Sequence, residues 1–212
     1  MEDEKYLTRV TPNTNSWQYP SGCECKCGGD LYENTNNFGW EEWLFNKRNR
    51  KDGYQYGFLQ CFNAQILKTE ITYKEVYLYT RKCETKDNNC KNKSRKGKCF
   101  LVARICNLTK LSHDEANKIR DKFYDKGNIN KMRDKCPENI REKLRDEAKP
   151  NGNNFIFNVK FKIEDAKLID KEEDISPSNY RFVLINIANI QNQQKRNSII
   201  ESINQSTFNQ NI

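Results

Sequence analysis

The sequence predicts an α+β domain: a small, curled, mainly antiparallel sheet or small β-barrel with two or more flanking helices. Three observations carry this. Aromatic residues make up 11 % of a chain whose hydrophobic content is only 35 %. Disordered chains lack aromatics, so a modest core of large side chains inside a charged shell is expected. The predicted elements run as strands, then two helices, then strands again, which is α+β order. At 212 residues the chain has the length of one domain, read as residues 1–190 with a polar tail or linker over 191–212.

Taken in order, residues 11–37 are rich in Asn, Gly, Pro and Ser. They read as ordered loop anchored by Trp17. Residues 38–62 hold eight aromatics: Phe38, Trp40, Trp43, Phe45, Tyr54, Tyr56, Phe58 and Phe62. Within them "DGYQYGFLQCF" opens on an Asp-Gly turn signal and alternates, which predicts a strand from Tyr54 to Phe62. "KEVYLYTR" (74–81) is a β-branched and aromatic run, hence a strand. "KCFLVARICNL" (98–108) is another, almost continuously apolar. The polar, basic segment between them reads as a long hairpin loop.

Ser112 and Glu115 match the capping box that opens a helix. Ala116, Ile119 and Phe123 fall on one face, and Gly127 supplies a C-terminal stop. "CPENIREKLRDEAK" (136–149) predicts a second helix with Pro137 in its first turn and Ile140, Leu144 and Ala148 as its buried stripe. "NFIFNVKFKI" (154–163) has apolar residues at a strict period of two, the clearest strand pattern in the chain. "NYRFVLINI" (179–187) predicts a further, central strand. The amide-rich "QNQQKRNSIIESINQSTFNQNI" after Ile190 has apolar positions enough for a short helix at most.

Charge is distributed unevenly. Residues 1–80 hold nine basic and eleven acidic side chains, residues 81–149 hold twenty-one and eleven, and residues 150–212 seven of each. The middle third therefore carries the positive charge, and residues 81–98 alone have eight basic and two acidic groups. Such a patch suits a polyanion, nucleic acid above all, or else is a solvated lysine surface. The first ten residues, "MEDEKYLTRV", are acidic and lack the apolar segment of a signal peptide. No run approaches the ~18 apolar residues of a membrane span. A cytoplasmic chain with no membrane partner is expected. Reduced thiols are therefore expected among the nine cysteines. The one cluster, Cys23, Cys25 and Cys27, has C-x-C spacing, a poorer match to structural zinc than C-x-x-C. Thiols in a surface loop are the better reading, and no metal or cofactor is expected.

Enzyme signatures are scarce. The single histidine, His113, lies in the helix-capping sequence and reads as an exposed first-turn residue. There is no G-x-S-x-G, phosphate-cradling glycine loop or H-E-x-x-H. A carboxylate–lysine nuclease centre could be drawn through Glu164, Asp165 and Lys167, a spacing common by chance where 31 % of residues are charged. Binding chemistry is better represented. Aromatic planes replace lost base stacking, and carboxylates accept hydrogen bonds from exocyclic amines. "NNFGWEEWLFN" (36–46) puts two tryptophans around Glu41 and Glu42. Those rings with Trp17, Tyr54 and Tyr56 either line a pocket for a flipped base or pack the core.

"TRVTPNTNSWQYPSG", "NNFGWEEWLFN" and "DGYQYGFLQ", in that order, resemble a bacterial domain found alone or ahead of HNH endonuclease domains. "KGKCFLVARICNLTKLSHDEA" resembles the same family's later strand and helix start, so the resemblance spans residues 8–187. More weakly, the arrangement is similar to the PUA-like barrel readers of modified bases (the EVE, YTH, ASCH and SRA groups). The resemblance implies a DNA-binding module that recognises a modified base in double-stranded DNA, with no catalysis of its own. It would serve a modification-dependent restriction or phage-defence system whose nuclease is another chain or domain. Alternatives are a metal-dependent nuclease, an RNA-binding domain and a protein-interaction module. On this reading Trp17, Trp40, Glu41, Glu42, Trp43, Tyr54 and Tyr56 form the base pocket. Asn13, Thr14, Ser21, Lys91, Lys93, Arg95, Lys96 and Lys98 contact the backbone. Two departures stand out: Trp40 replaces the family's usual His, and "CECKC" replaces its Gly/Arg/Lys-rich loop.

Overall fold

Asp52 and Gly53 both take positive φ, 52° and 81°, and this pair closes the hairpin between β2 (Arg50–Lys51) and β3 (Tyr54–Gly57). Asp-Gly is the dipeptide that tolerates two left-handed residues in succession, so the turn is where the sequence puts it. The computed structural model describes residues 4–21, 38–62, 68–83, 97–134, 136, 138, 141, 156–175, 183–208 and 210–211. The strand expected to run on to Phe62 stops at Gly57, because the chain then turns to the Asn158 side chain. That amide accepts from Leu59 N at 2.8 Å and donates to Leu59 O at 2.9 Å. It replaces the ladder bonds a longer strand would have made.

The sheet is built around one long hairpin, β4 (Ile71–Cys83) against β5 (Gly97–Lys110), each longer than its apolar run alone predicts. β1 (Lys5–Arg9) lies parallel to β4, and β8 (Ile185–Asn186) caps the far side of β1. On the other edge of β5 two strands succeed one another. β6 (Val159–Lys162) pairs its C-terminal end and β7 (Ala166–Ile175) the rest, joined by a 3-10 turn at Ile163–Asp165. β3 adds to β6, and β9 (Gln210–Asn211) to β7. The described residues thus form one open, mixed, nine-stranded sheet. The expected small antiparallel sheet or barrel is corrected to this larger form. The parallel β1–β4 pair arises because the acidic N-terminal segment, where no element is read from the sequence alone, carries a strand. Leu7 is fully buried there.

Both faces of the hairpin are covered, which explains its nearly continuous apolar sequence. Val76 and Leu78 face a core with Trp17, Leu44, Phe45, Val159 and Phe161. Tyr77 and Tyr79 face the opposite way, with Leu7, Ile187, Ile199 and Ile203. The last two come from a helix, Gln193–Gln205, inside the segment read as a tail. Asn192 caps it by accepting from Lys195 N. Numbered in chain order, this is α3. α1 (His113–Asp125) begins at Ser112, whose side chain accepts from Glu115 N, and Gly127 ends it at φ 67°. Its buried face holds the predicted Ala116, Ile119 and Phe123. α2 (Asn128–Asp134) follows, unforeseen because it is short and polar, and buries Ile129 and Met132. The predicted helix over 136–149 lies mostly outside the described residues. The strand read over 179–187 is described only from Val183 and is an edge pair, not a central strand.

Candidate nucleic-acid interface

The Glu41–Glu42 pair opens a 3-10 turn, Trp40–Trp43, and both carboxylates point inward. Glu41 is 2 % exposed and Glu42 not at all. Glu41 Oε2 accepts from Thr11 N at 2.9 Å and from Thr11 Oγ1 at 2.6 Å, and its Oε1 accepts from Gln60 N at 2.9 Å. Glu42 Oε2 accepts from Asn13 Nδ2 and Ser21 N, each at 2.9 Å, and from Ser21 Oγ at 3.3 Å. Its Oε1 accepts from Gly39 N at 2.9 Å, the reach-back half of a capping box. The expectation that these carboxylates read a base is corrected accordingly. Their oxygens are engaged by the chain's own donors, and they fasten the loop of residues 11–21 to the turn. Gly39 permits this: a Cβ there would lie 2.1 Å from Thr11 Oγ1.

Asn13 is part of the same clasp, 8 % exposed, its Oδ1 accepting from Asn15 N and Trp17 N. Ser21 is engaged by Glu42, so Asn13 and Ser21 hold the fold where phosphate contacts were expected. Thr14 is exposed. Trp17 takes φ 55° and donates from Nε1 to Thr11 O at 2.9 Å inside the main core. Tyr56 packs edge-on to Phe123, centroids 5.9 Å apart, and burial raises its pKa. Trp43 is buried with Phe38, Met132 and Cys136. Trp17, Trp43 and Tyr56 are therefore core residues, and the pocket reading is corrected for these three as well: an aromatic large enough to stack on a base is also large enough to be enclosed.

Trp40 and Tyr54 remain partly exposed. Both rest on the cluster that includes Tyr56, Ile119, Phe123 and Phe157, and Trp40 also borders the Phe38–Trp43 cluster. Cations gather around Tyr54. Lys160 Nζ lies 5.9 Å from the Tyr54 ring centroid and pairs with Glu70 at 2.9 Å. Lys162 sits across the ladder from Tyr54 and is exposed. Lys51 ends β2 beside the turn and bonds Asp52 at 3.1 Å. Its side chain also meets Lys122 of α1. That contact and the Lys51 charge push the Lys122 pKa below the usual lysine value. A hydrogen bond donated to the Lys122 amine, with help from Asp52, raises that of Lys51. The two lysines compete for positive charge, and a nearby anion lets both keep it. Sequence reasoning missed Lys51, Lys122 and Lys160, which are scattered over 110 residues. The one available signal was the pair Lys160 and Lys162 on the polar side of the alternating β6 pattern.

Of the loop cations, Lys98 is exposed at the start of β5, while Lys91, Lys93, Arg95 and Lys96 lie outside the described residues, as do Cys23, Cys25 and Cys27. Glu164 is exposed and Asp165 accepts from Asn107 Nδ2 at 3.4 Å. Among the described residues no group of three or more His, Cys, Asp or Glu side chains is placed to hold a metal ion. His113 starts α1, its Nδ1 3.2 Å from Asn117 Nδ2. No described helix is long and apolar enough to cross a membrane. No protein-family model, curated protein or solved structure matches the chain.

Proposed function

We propose that this protein binds nucleic acid on the face carrying Trp40 and Tyr54, and that its target is double-stranded DNA bearing a modified base. One observation carries the reading. Two aromatic rings, Trp40 and Tyr54, stay partly exposed on one buried aromatic cluster, and Lys51, Lys122, Lys160 and Lys162 gather around Tyr54. Rings of this kind accept a base by stacking, for roughly 1–3 kcal/mol per base. Lysines at the rim neutralise phosphates and release counterions. The exposed Lys98 and the basic composition of residues 81–98 add charge for the same polyanion. Preference for a modified base comes from the family resemblance, as does a role as the specificity part of a restriction or phage-defence system. Any cleavage then belongs to a partner nuclease.

The test is fluorescence anisotropy with duplexes carrying plain, methylated, hydroxymethylated or glucosylated cytosine. Affinity is expected to fall at least tenfold between about 50 and 200 mM salt, because several phosphates are neutralised. At least one modified duplex should bind more tightly than plain DNA, and Trp40→Ala with Tyr54→Ala should lose most of the affinity. Equal binding of all duplexes would refute modified-base reading. Salt-independent binding, or none, would refute the polyanion site.

A further inference from the structure

The lysines around Tyr54 are not bare charges. Lys51 Nζ lies 3.1 Å from Asp52 Oδ2, and Lys162 Nζ lies 4.0 Å from Glu164 Oε1. Lys160 Nζ donates to both Glu70 Oε1 and Glu70 Oε2 at 2.9 Å. Each of these carboxylates offsets an ammonium that a phosphate would otherwise meet, so the number of lysines alone overstates the pull of this face on a polyanion. The Lys160–Glu70 pair stands apart from the other two. Both carboxylate oxygens take part, at the distance of charge-assisted hydrogen bonds. The Lys160 side chain is 20 % exposed against 54 % for Lys162, so solvent screens its charge less.

Glu70 and Lys160 come from different parts of the sheet. Glu70 directly precedes β4 and Lys160 lies on β6, with β5 between those strands, so the carboxylate reaches across β5 to the ammonium. The Tyr54 ring centroid is 5.9 Å from the same ammonium, near the outer limit of a cation–π contact, which leaves Glu70 as its principal partner. Burial works against the charged form of Lys160, and the hydrogen bond and charge of Glu70 outweigh it, so the pKa is raised above the ordinary lysine value. Glu70 itself is an exposed residue, preceded by the exposed Lys68 and Thr69. It can leave the ammonium for water without disturbing the core. Its two oxygens stand on Lys160 as two oxygens of a phosphodiester would.

We propose that Lys160 is a phosphate position of the Tyr54 face and that Glu70 is its built-in competitor: in the free protein the Glu70 carboxylate occupies Lys160, and a phosphate of the bound strand displaces it. This rests on the nucleic-acid reading above and adds what restrains it. Phosphate contacts attract any nucleic acid, whatever its sequence or modification. A carboxylate that must first be expelled weakens that general attraction and leaves more of the affinity to stacking on the rings.

The experiment has two arms. The first is a double-mutant cycle read by anisotropy with a plain duplex at low salt. Glu70→Gln keeps the shape of the side chain and removes its charge, and should bind about three- to fivefold more tightly than wild type, the worth of one partly exposed ion pair. Lys160→Gln should weaken binding, and adding Glu70→Gln to it should change nothing further, because the competitor acts only through Lys160. An equal gain in both backgrounds makes Glu70 a distant charge and overturns the proposal. So does a Glu70→Gln protein that binds no better than wild type, or a Lys160→Gln protein that binds as well, while salt-sensitive binding by the wild type still upholds the interface itself. The second arm needs no variant. A carbodiimide, which joins a carboxylate to an amine in contact with it, should link Glu70 to Lys160 in the free protein, and saturating plain duplex should suppress the linked peptide in the mass spectrum. A link that persists in full, or none in the free protein, overturns the proposal whether or not the variants fold. Failure of the wild-type protein to bind any duplex overturns both readings.

Discussion

Replacing Glu41 by alanine separates a structural clasp from a ligand contact. The carboxylate accepts three hydrogen bonds, two of them from Thr11, a fully buried residue, and one from Gln60 N. Bonds to a charged acceptor are each worth roughly 1.5–3 kcal/mol, and a buried donor left without a partner costs about 1–3 kcal/mol. The three share one carboxylate and are not additive, so a loss of about 4 kcal/mol is expected for Glu41→Ala. In a chain of this size 1 kcal/mol shifts the melting temperature by about 2–4 °C, which puts the drop near 8–16 °C. Glu41→Gln should fall between, because its NH2 group turns a donor toward donors. Thermal and urea unfolding followed by circular dichroism measure this, with duplex binding determined below the transition. A variant that melts within about 2 °C of wild type yet no longer binds DNA would refute the clasp and return Glu41 to the ligand.

Four further outcomes follow from the same geometry. Gly39→Ala should destabilise nearly as much as Glu41→Ala, since the new Cβ meets the Thr11 hydroxyl that Glu41 accepts from; an unchanged melting temperature would mean that the turn relaxes freely. Ile199→Ala should cost about 2–5 kcal/mol in urea unfolding, as expected of a fully buried residue and not of a tail. Tyr56→Ala should cost about 3–5 kcal/mol of stability, whereas Tyr54→Ala should reduce DNA affinity with little change in melting. Alkaline pH should destabilise the fold. Burial raises the Cys61 and Cys136 thiols to about 12 from 9.0 and the Tyr79 phenol to about 12 from 10.0. These groups lose their protons more easily when unfolded, so their contribution is complete below about pH 9 and drains away as pH rises toward 12. Lys110, whose pKa burial lowers, works in the opposite sense and is outnumbered. Melting temperatures that stay level from about pH 8 to 11 would contradict this.

Several features were legible in the sequence because each rests on local chemistry. The Asp52–Gly53 turn, the Ser112 cap and the Gly127 stop are all set by residues within a few positions of one another. The β4–β5 hairpin was legible from two apolar runs. What escaped is non-local. β1 and α3 read as charged or amide-rich because only a few of their side chains are buried, Leu7, Thr8 and Arg9 in one and Ile199 and Ile203 in the other. β7 was hidden in the same way: Ala166, Leu168 and Ile175 are the buried ones among its described side chains, set among charged neighbours. The glutamate pair was the harder case. Aromatics beside carboxylates look alike in sequence whether the acids face a ligand or the protein's own N–H groups. Only the thirty-residue return from Thr11 to Glu41 settles the direction. The cationic rim was invisible for the same reason, since Lys51, Lys122 and Lys160 meet only once β2, α1 and β6 are assembled.

Lysine acetylation footprinting, read by mass spectrometry with and without saturating duplex, tests the interface most directly. Lys51, Lys122, Lys160 and Lys162 should be protected by bound DNA, while Lys195 of α3, on a separate element of the fold, reacts as before. Protection that falls on Lys195 and spares the four lysines around Tyr54 would place the nucleic acid elsewhere and contradict the account.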